Sequence, residues 1–114
     1  MSELSRGAIV WVDLDPTEGR EQAGARPALV ICNEDYLGAV PDLVIVVPLT
    51  RADRGWPHHV TVEGPRTGLP RRSFAMTEQP RTIARQRITG RSGVAPPAAL
   101  VEVDRWLRDF LAPP

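Results

Sequence analysis

The chain has few of the residues from which disulfides and metal centres are built. Its 114 residues include one cysteine, Cys32, and two adjacent histidines, His58 and His59. A lone cysteine has no partner for an internal disulfide, so Cys32 is expected to pack as a small buried hydrophobe, and nothing indicates an oxidising compartment. Adjacent side chains on a strand point to opposite faces, so the two histidines predict no metal-ligand array. We therefore expect neither a metal nor a cofactor.

Long apolar segments and several common catalytic motifs are lacking as well. No stretch approaches the roughly 18 apolar residues of a membrane helix, and the N-terminus lacks the apolar centre of a signal peptide. There is no Walker loop, no dinucleotide fingerprint and no Gly-x-Ser-x-Gly elbow. The sequence predicts a cytoplasmic protein without membrane contact, formed by a single domain over residues 1–114.

Lysine is absent, and all fourteen basic residues are arginine. Arginine presents a planar fork that suits phosphate and stacks on bases, although codon bias in a GC-rich genome has the same effect on composition. The formal net charge is zero, but residues 1–50 hold three arginines against eight acids, a net charge of −5. Residues 51–114 hold eleven arginines against six acids, a net charge of +5. The second half therefore favours an anionic ligand such as a nucleic acid.

Five short segments have the composition of strands. Residues 9–12, 28–32 and 43–47 are continuous apolar runs rich in β-branched side chains, which is typical of strands that are covered on both faces. Residues 59–62 and 73–77 are weaker candidates, separated by a turn-rich connection. The segments predict a mainly β fold, a small SH3-like barrel.

The C-terminal segment has the pattern of an amphipathic helix over residues 98–111. Its polar positions alternate with apolar ones at helical spacing. The apolar positions are Leu100, Val103, Leu107, Phe110 and Leu111. Two prolines at 96 and 97 are tolerated at a helix start, where backbone N–H groups lack helical partners. Trp106 lies beside the apolar stripe and belongs either to the core or to a dimer face.

Four segments in a fixed order carry a resemblance to a known family. Between the first two apolar runs lies a glycine-containing connection, residues 13–27, that ends at Arg26-Pro27 and is longer than a tight hairpin needs. It is followed by Val-Pro-Leu-Thr at residues 47–50, Glu-Gln-Pro-Arg-Thr-Ile at 78–83 and Gly-Val-Ala-Pro at 93–96. This set resembles the MazF/PemK-like toxins.

The resemblance implies both an activity and an assembly. The family consists of small, metal-independent endoribonucleases that cut single-stranded RNA at short sequences and are silenced by a cognate antitoxin. It implies a barrel of the CcdB/PemK type with a C-terminal helix, in a homodimer that holds RNA along the dimer groove. The 2′-hydroxyl of the substrate is the nucleophile, and the products are a 2′,3′-cyclic phosphate and a 5′-hydroxyl. The antitoxin would be a partly disordered acidic chain that competes with RNA.

By resemblance, Arg26 and Thr50 match the two principal catalytic positions, and Glu21 matches a third. The family assigns the arginine acid–base duty and the threonine stabilisation of the phosphorane. A guanidinium is protonated at any ordinary pH, so we expect Arg26 to act first as a fixed charge on the equatorial oxygens. Glu21 is then preferred to His59 and His58 as the group that accepts the 2′-hydroxyl proton.

Further residues are candidates for RNA contact because they are basic, aromatic or part of the matching segments. Trp56 lies among arginines and is either a base-stacking platform or a cover for the barrel edge. Arg81 and Thr82 either contact RNA or rebuild a strand after a bend at Pro80. The predicted RNA-binding set is Arg20, Gln22, Trp56, His59, Arg71, Arg72, Gln79, Arg81, Thr82, Arg85 and Arg87.

Two other functions fit parts of the pattern. One is a barrel of similar topology that poisons DNA gyrase by protein contact and cuts nothing. The other is a catalytically silent, RNA-binding relative of the nucleases. The Glu-Gln-Ala-Gly-x-Arg-Pro segment at residues 21–27 favours the nuclease.

Overall fold

The computed structural model describes residues 4–13 and 25–113, which form seven strands and two α-helices. The strands are β1 (Ala8–Val12), β2 (Arg26–Val30), β3 (Leu43–Thr50), β4 (His59–Val62), β5 (Ser73–Met76), β6 (Arg81–Ala84) and β7 (Ile88–Val94). The helices are α1 (Glu34–Ala39) and α2 (Pro97–Leu111), and single 3₁₀ turns span Pro65–Thr67 and Arg85–Arg87. No helix in these ranges is both long and apolar enough to cross a membrane.

All described strand pairs are antiparallel, in the order β4-β5-β3-β2-β1-β7, and β6 pairs with β3. The long strand β3 organises the sheet, because its first half pairs with β6 and its last two residues pair with β5. One strand thus belongs to two parts of the sheet, which curls around it. The predicted mainly β fold with a C-terminal helix is confirmed.

The sheet is covered on both faces, as its continuous apolar runs predict. Successive residues of β1 and β2 alternate between two cores. The first core contains Val10, Val12, Ala28, Val30, Val44 and Val46, and Leu37 of α1 covers it. The second contains Ile9, Leu29, Val47, Val62 and, from α2, Ala99 and Val103. Cys32 is buried at the edge of the first core as a free thiol.

Three elements of the fold were not among the five predicted strands and one helix. Helix α1 has six residues, and Asn33 caps it by accepting a hydrogen bond from the backbone of Tyr36 at 3.0 Å. Strand β6 begins directly after Pro80, so Arg81 and Thr82 do rebuild a strand after Pro80, which was one of the two alternatives for them. Strand β7 is only partly buried and pairs with β1 through two register shifts.

Substitution of Gly93 in β7 should destabilise the fold. A Cβ atom at this position would lie 2.1 Å from the carbonyl oxygen of Arg66 and 2.6 Å from that of Thr67. Backbone atoms cannot rotate away, so we expect Gly93→Ala to lower the free energy of unfolding by about 1–3 kcal/mol, as overpacking commonly does. Gly90→Ala in the same strand is the control, because a Cβ there meets nothing within 4 Å. Equal urea midpoints for the two variants would contradict the close approach.

Candidate active site

Arg26 begins β2, and Thr50 ends the neighbouring strand β3. Ala28 pairs with Pro48 and Leu29 with Val47, and Arg26 and Thr50 each lie two residues beyond this paired stretch. At these strand ends Arg26 pairs with Val12 of β1, and Thr50 pairs with Phe74 of β5. The two strands therefore carry a cation and a hydroxyl to the same end of the β2–β3 pair.

Arg26 and Thr50 line a cleft of about 610 Å³. Two more arginines, Arg51 and Arg71, contribute to its wall, as do the hydroxyl-bearing Ser73 and the half-buried Trp11. The lining residues among the described ranges include three arginines and no acid. A cleft walled by charge of one sign concentrates ligands of the opposite sign, so it suits an anion.

The Thr50 hydroxyl is oriented by its own loop. Its oxygen accepts a hydrogen bond from the backbone N–H of Ala52 at 3.1 Å. Because a hydroxyl has one proton and two lone pairs, this bond uses a lone pair and leaves the proton available for a ligand oxygen. Arg26, which lines the same cleft, has a guanidinium that supplies up to five N–H donors and a permanent positive charge. Together the two side chains can hold an oxyanion from two sides.

Three of the predicted site residues, Arg20, Glu21 and Gln22, lie outside the described residues. The described residues that follow them in sequence, Ala25 and Arg26, line the cleft. The assignment of Glu21 as general base stays a prediction.

His59 and His58 meet at Glu78 instead of facing apart. The His59 side chain is only 2% exposed, and its Nε2 lies 3.1 Å from each carboxylate oxygen of Glu78. His58 Nε2 lies 3.3 Å from Oε1 of the same carboxylate. The prediction that the two histidines form no ligand cluster is wrong, because His58 precedes β4 and the alternation of strand side chains does not apply to it.

The Glu78 carboxylate is held in its charged form. Burial raises the pKa of Glu78, but the hydrogen bond with His59, a backbone hydrogen bond, the charge of His59 and the hydrogen bond from Gln79 together outweigh it. The net effect places the pKa below the ordinary value of 4.5, so the group is ionised at neutral pH. The buried His59 imidazole is engaged by this carboxylate and does not line the cleft, which does not favour the predicted contact of His59 with RNA.

Arg85 and Arg87 are bound by backbone carbonyls. The Arg85 guanidinium donates to the carbonyl oxygens of Leu43 at 2.8 Å and Val40 at 3.0 Å, and it also contacts that of Leu37. It thus satisfies carbonyls at the C-terminal end of α1, where a cation also complements the helix dipole. Arg87 donates to the carbonyl of Asp13 at 2.9 Å. Both side chains hold the fold together, and neither belongs to the Arg26 cleft.

The other predicted RNA contacts within the described residues are exposed side chains, and one of them, Arg71, lines the cleft. Arg71 lines the cleft, and the neighbouring Arg72 is exposed with its guanidinium 5.6 Å from the centre of the Phe74 ring. Gln79 is exposed on the turn after β5, and exposed Arg81 and Thr82 follow it on β6. The structure brings Arg26, Thr50 and Arg71 to one cleft. The lining of this cleft does not include Arg72, Gln79, Arg81 or Thr82.

Trp11 lines the cleft and Trp56 does not, although Trp56 is the tryptophan that was predicted as an RNA contact. Trp56 is 47% exposed, but its ring stacks on His58 at 5.5 Å, and it does not line the cleft. Trp11 does line it, although it belongs to the apolar run of β1 that reads as core. Trp11 pairs in the sheet with Pro27, the residue next to Arg26, and this pairing brings Trp11 to the cleft. The apolar run of β1 by itself does not indicate that location.

Known proteins resemble the chain in both sequence and fold. The sequence model of a family described as PemK-like, MazF-like toxin of type II toxin–antitoxin system matches residues 5–111. Endoribonuclease EndoA of Bacillus subtilis (strain 168) is 33% identical over 110 residues, which cover 96% of this chain and 95% of EndoA. Endoribonuclease toxin MazF of Escherichia coli (strain K12) is 36% identical over 95 residues, 82% of this chain and 81% of that protein.

The fold agrees with crystal structures from Deinococcus radiodurans. MazF from this organism has a TM-score of 0.78 and 29% identity, covering 96% of this chain and 97% of that chain. A MazE–MazF structure gives a TM-score of 0.78 at 28% identity and covers 95% of each chain. Because the family match spans nearly the whole sequence and relatives above 30% identity cover most of it, the chain belongs to the PemK-like, MazF-like toxins of type II toxin–antitoxin systems.

Proposed function

We propose that this toxin is an endoribonuclease that cuts single-stranded RNA in the cleft between Arg26 and Thr50. The observation that carries the proposal is that a cation, Arg26, and a hydroxyl donor, Thr50, line the same arginine-rich cleft at the ends of neighbouring strands. The names of the relatives from B. subtilis and E. coli support the same activity. The gyrase-poison and silent-relative alternatives have no comparable support.

In the proposed reaction the substrate supplies its own nucleophile. The 2′-oxygen bonds to the adjacent phosphorus while the bond from phosphorus to the 5′-oxygen breaks, which leaves a 2′,3′-cyclic phosphate and a 5′-hydroxyl. The 2′-hydroxyl proton passes to a base, for which Glu21 is proposed, and the departing 5′-oxygen takes up a proton. Negative charge develops on the equatorial phosphorane oxygens between these two steps.

Arg26 and Thr50 are proposed to stabilise that charge. The guanidinium is charged at every working pH, so it neutralises the oxygens without first acquiring a proton. The Thr50 proton, left available by the bond from Ala52, supplies a neutral hydrogen bond from the facing strand. Fixed cations do here what a metal ion does in many nucleases, so the proposed cleavage needs no metal and no cofactor.

The remaining groups of the cleft are proposed to position the RNA. Arg51 and Arg71 suit the flanking phosphates, since arginine–phosphate contacts orient a strand without reading its sequence. Trp11 offers a ring on which an unstacked base can lie. Arg72, Gln79, Arg81 and Thr82 are kept as proposed contacts for RNA that extends beyond the cleft.

The two tryptophans provide a test of where the bases lie. In an Arg26→Ala background that leaves RNA intact, we expect Trp11→Leu to weaken binding of a short RNA about 5- to 150-fold, because stacking is worth about 1–3 kcal/mol per base. Trp56→Leu should weaken binding less, since Trp56 stacks on His58 outside the cleft. Fluorescence anisotropy measures both affinities. A larger loss for Trp56→Leu would move the base-stacking site to the loop at 51–58.

We further propose a homodimer that binds a cognate antitoxin in the cytoplasm. Val101, Phe110 and Leu111 of α2 are exposed apolar side chains, which favours burial against a second copy. An acidic antitoxin segment complements the arginine-lined cleft and would compete with RNA for it. The family's description as toxins of toxin–antitoxin systems and the MazE–MazF structure support such a partner.

Primer extension on total RNA after brief expression tests the proposed function. The wild type should produce new 5′ ends at a recurring short sequence, and Arg26→Ala should produce none above background. Gyrase trapped on DNA without new RNA ends would favour the gyrase poison. RNA binding without cleavage would favour the silent relative.

A further inference from the structure

The described part of the chain contains one cluster with the composition of a metal site. One ring nitrogen of His58, one of His59 and a carboxylate oxygen of Glu78 all lie within 4.8 Å of one another. The whole sequence has only two histidines and one cysteine, and Cys32 is buried elsewhere, in the first core. Both imidazoles lie beside the carboxylate of Glu78, which is about twenty residues further along the chain. Two imidazoles and a carboxylate are a ligand set that Zn²⁺ accepts.

The two histidine–carboxylate separations are close to those that a shared ion requires. Zn²⁺ binds nitrogen and carboxylate oxygen at about 2.0–2.2 Å, so two ligands of one tetrahedral ion lie about 3.3–3.5 Å apart. The imidazole nitrogens lie 3.3 Å (His58) and 3.1 Å (His59) from the carboxylate. The His58 pair is already in this range, the His59 pair must widen slightly, and the ligand atoms of the two histidines lie within 4.8 Å of each other.

The ligand side chains are held by their surroundings. His59 is the first residue of β4, pairs with Met76 of β5 and is almost fully buried. The His58 ring stacks on Trp56 at 5.5 Å and meets Phe110 of α2 edge-on at 5.7 Å. Ligands fixed by packing lose little freedom when they bind an ion, which is the condition that a functional metal site must satisfy.

We propose that His58, His59 and Glu78 bind one Zn²⁺ ion per chain, with water in the fourth position. None of the three residues lines the Arg26 cleft, so the proposal does not rest on the proposed nuclease function. The ion would join the start of β4 to the turn after β5, and through the His58 ring it would brace α2. Its role is to stabilise this end of the molecule, separately from RNA cleavage.

One feature limits the expected affinity. The Nδ1 atom of His59 is buried and has no hydrogen-bond partner among the described residues. Metal on Nε2 places the ring proton on Nδ1, and histidine ligands normally donate that proton to a second group. We therefore expect micromolar rather than nanomolar binding.

Calorimetric titration of untagged protein with zinc chloride, after removal of metal with a chelator, tests the proposal. We expect one ion per chain, a rise in the melting temperature, and a change in tryptophan fluorescence because Trp56 stacks on a ligand. His58→Ala and Glu78→Gln should each weaken binding at least about tenfold, since each removes one of three ligands. Glu63→Gln is the control, because Glu63 is an exposed acid outside the cluster.

Circular dichroism identifies any variant that fails to fold, and Glu78→Gln keeps an oxygen that can accept from the histidines. Binding of less than one ion per chain by the wild type would overturn the proposal. Unchanged affinity in folded His58→Ala or in folded Glu78→Gln would overturn the three-ligand site. Cleavage of RNA in chelator does not bear on this outcome, so this proposal and the proposed function can fail independently.

Discussion

Replacing Arg26 with alanine is expected to slow RNA cleavage about 10²- to 10³-fold, the usual loss when one preorganised donor to a developing oxyanion is removed. The residue is the first of β2, exposed and outside both cores, so the variant should stay folded. Arg26→Lys should recover only part of the rate, because a point charge cannot reproduce a two-pronged contact. Single-turnover kinetics on a defined oligonucleotide measure the effect.

Arg66→Ala is the matched control for this loss. Arg66 is an exposed arginine of the 3₁₀ turn Pro65–Thr67 and does not line the cleft. Its removal changes the net charge as much as that of Arg26, so any general electrostatic effect on RNA binding appears in both variants. Equal losses in the two variants would mean that Arg26 contributes charge and nothing more specific.

A single 2′-deoxy substitution in the substrate should abolish cleavage. The substituted nucleotide is the one on the 5′ side of the scissile phosphate, whose 2′-hydroxyl is the proposed nucleophile. Without that oxygen no cyclic phosphate can form, so the loss should be complete, whereas a 2′-deoxy substitution two nucleotides away should leave the phosphodiester chemistry intact. Gel analysis of the products under excess EDTA measures both. Cleavage of the substituted RNA at the original position would require a different nucleophile.

The strands that the sequence predicted most clearly are those whose side chains are all apolar and therefore require burial. Residues 9–12, 28–32 and 43–47 are apolar throughout, and a run of β-branched side chains buried on both faces has few alternatives to a central strand. Strand β7 contains Thr, Gly, Arg and Ser and is interrupted by two register shifts, so neither composition nor period two marked it. Helix α1 is too short for helical periodicity and is recognisable only by its Asn33 cap.

In the candidate site, too, some residues were predicted from the sequence and others were not. Arg26 and Thr50 were predicted through the resemblance, and the structure places both in the lining of one cleft. Trp11 was missed because an aromatic within an apolar run reads as core. The convergence of His58 and Glu78 depends on a turn before β4 and a pairing with β5, neither of which local sequence specifies.

Arg85 shows why counting charge overestimates a binding surface. It belongs to the predicted RNA-binding set because it is one of the eleven arginines of the second half of the chain. Its guanidinium is instead occupied by backbone carbonyls around the end of α1, partners that no charge pattern reveals. Side-chain composition locates a cation along the chain, but only the fold determines which acceptors surround it.

The most direct test of the active-site assignment is the single-turnover cleavage of one RNA oligonucleotide in excess EDTA by the wild type and by the Arg26→Ala/Thr50→Ala double variant. We predict that the wild type cuts the RNA to completion, with a 2′,3′-cyclic phosphate on one product. The folded double variant should be slower by at least about 10²-fold. A double variant that cuts at the wild-type rate, or a wild type that cuts only when a divalent ion is restored, would contradict the account.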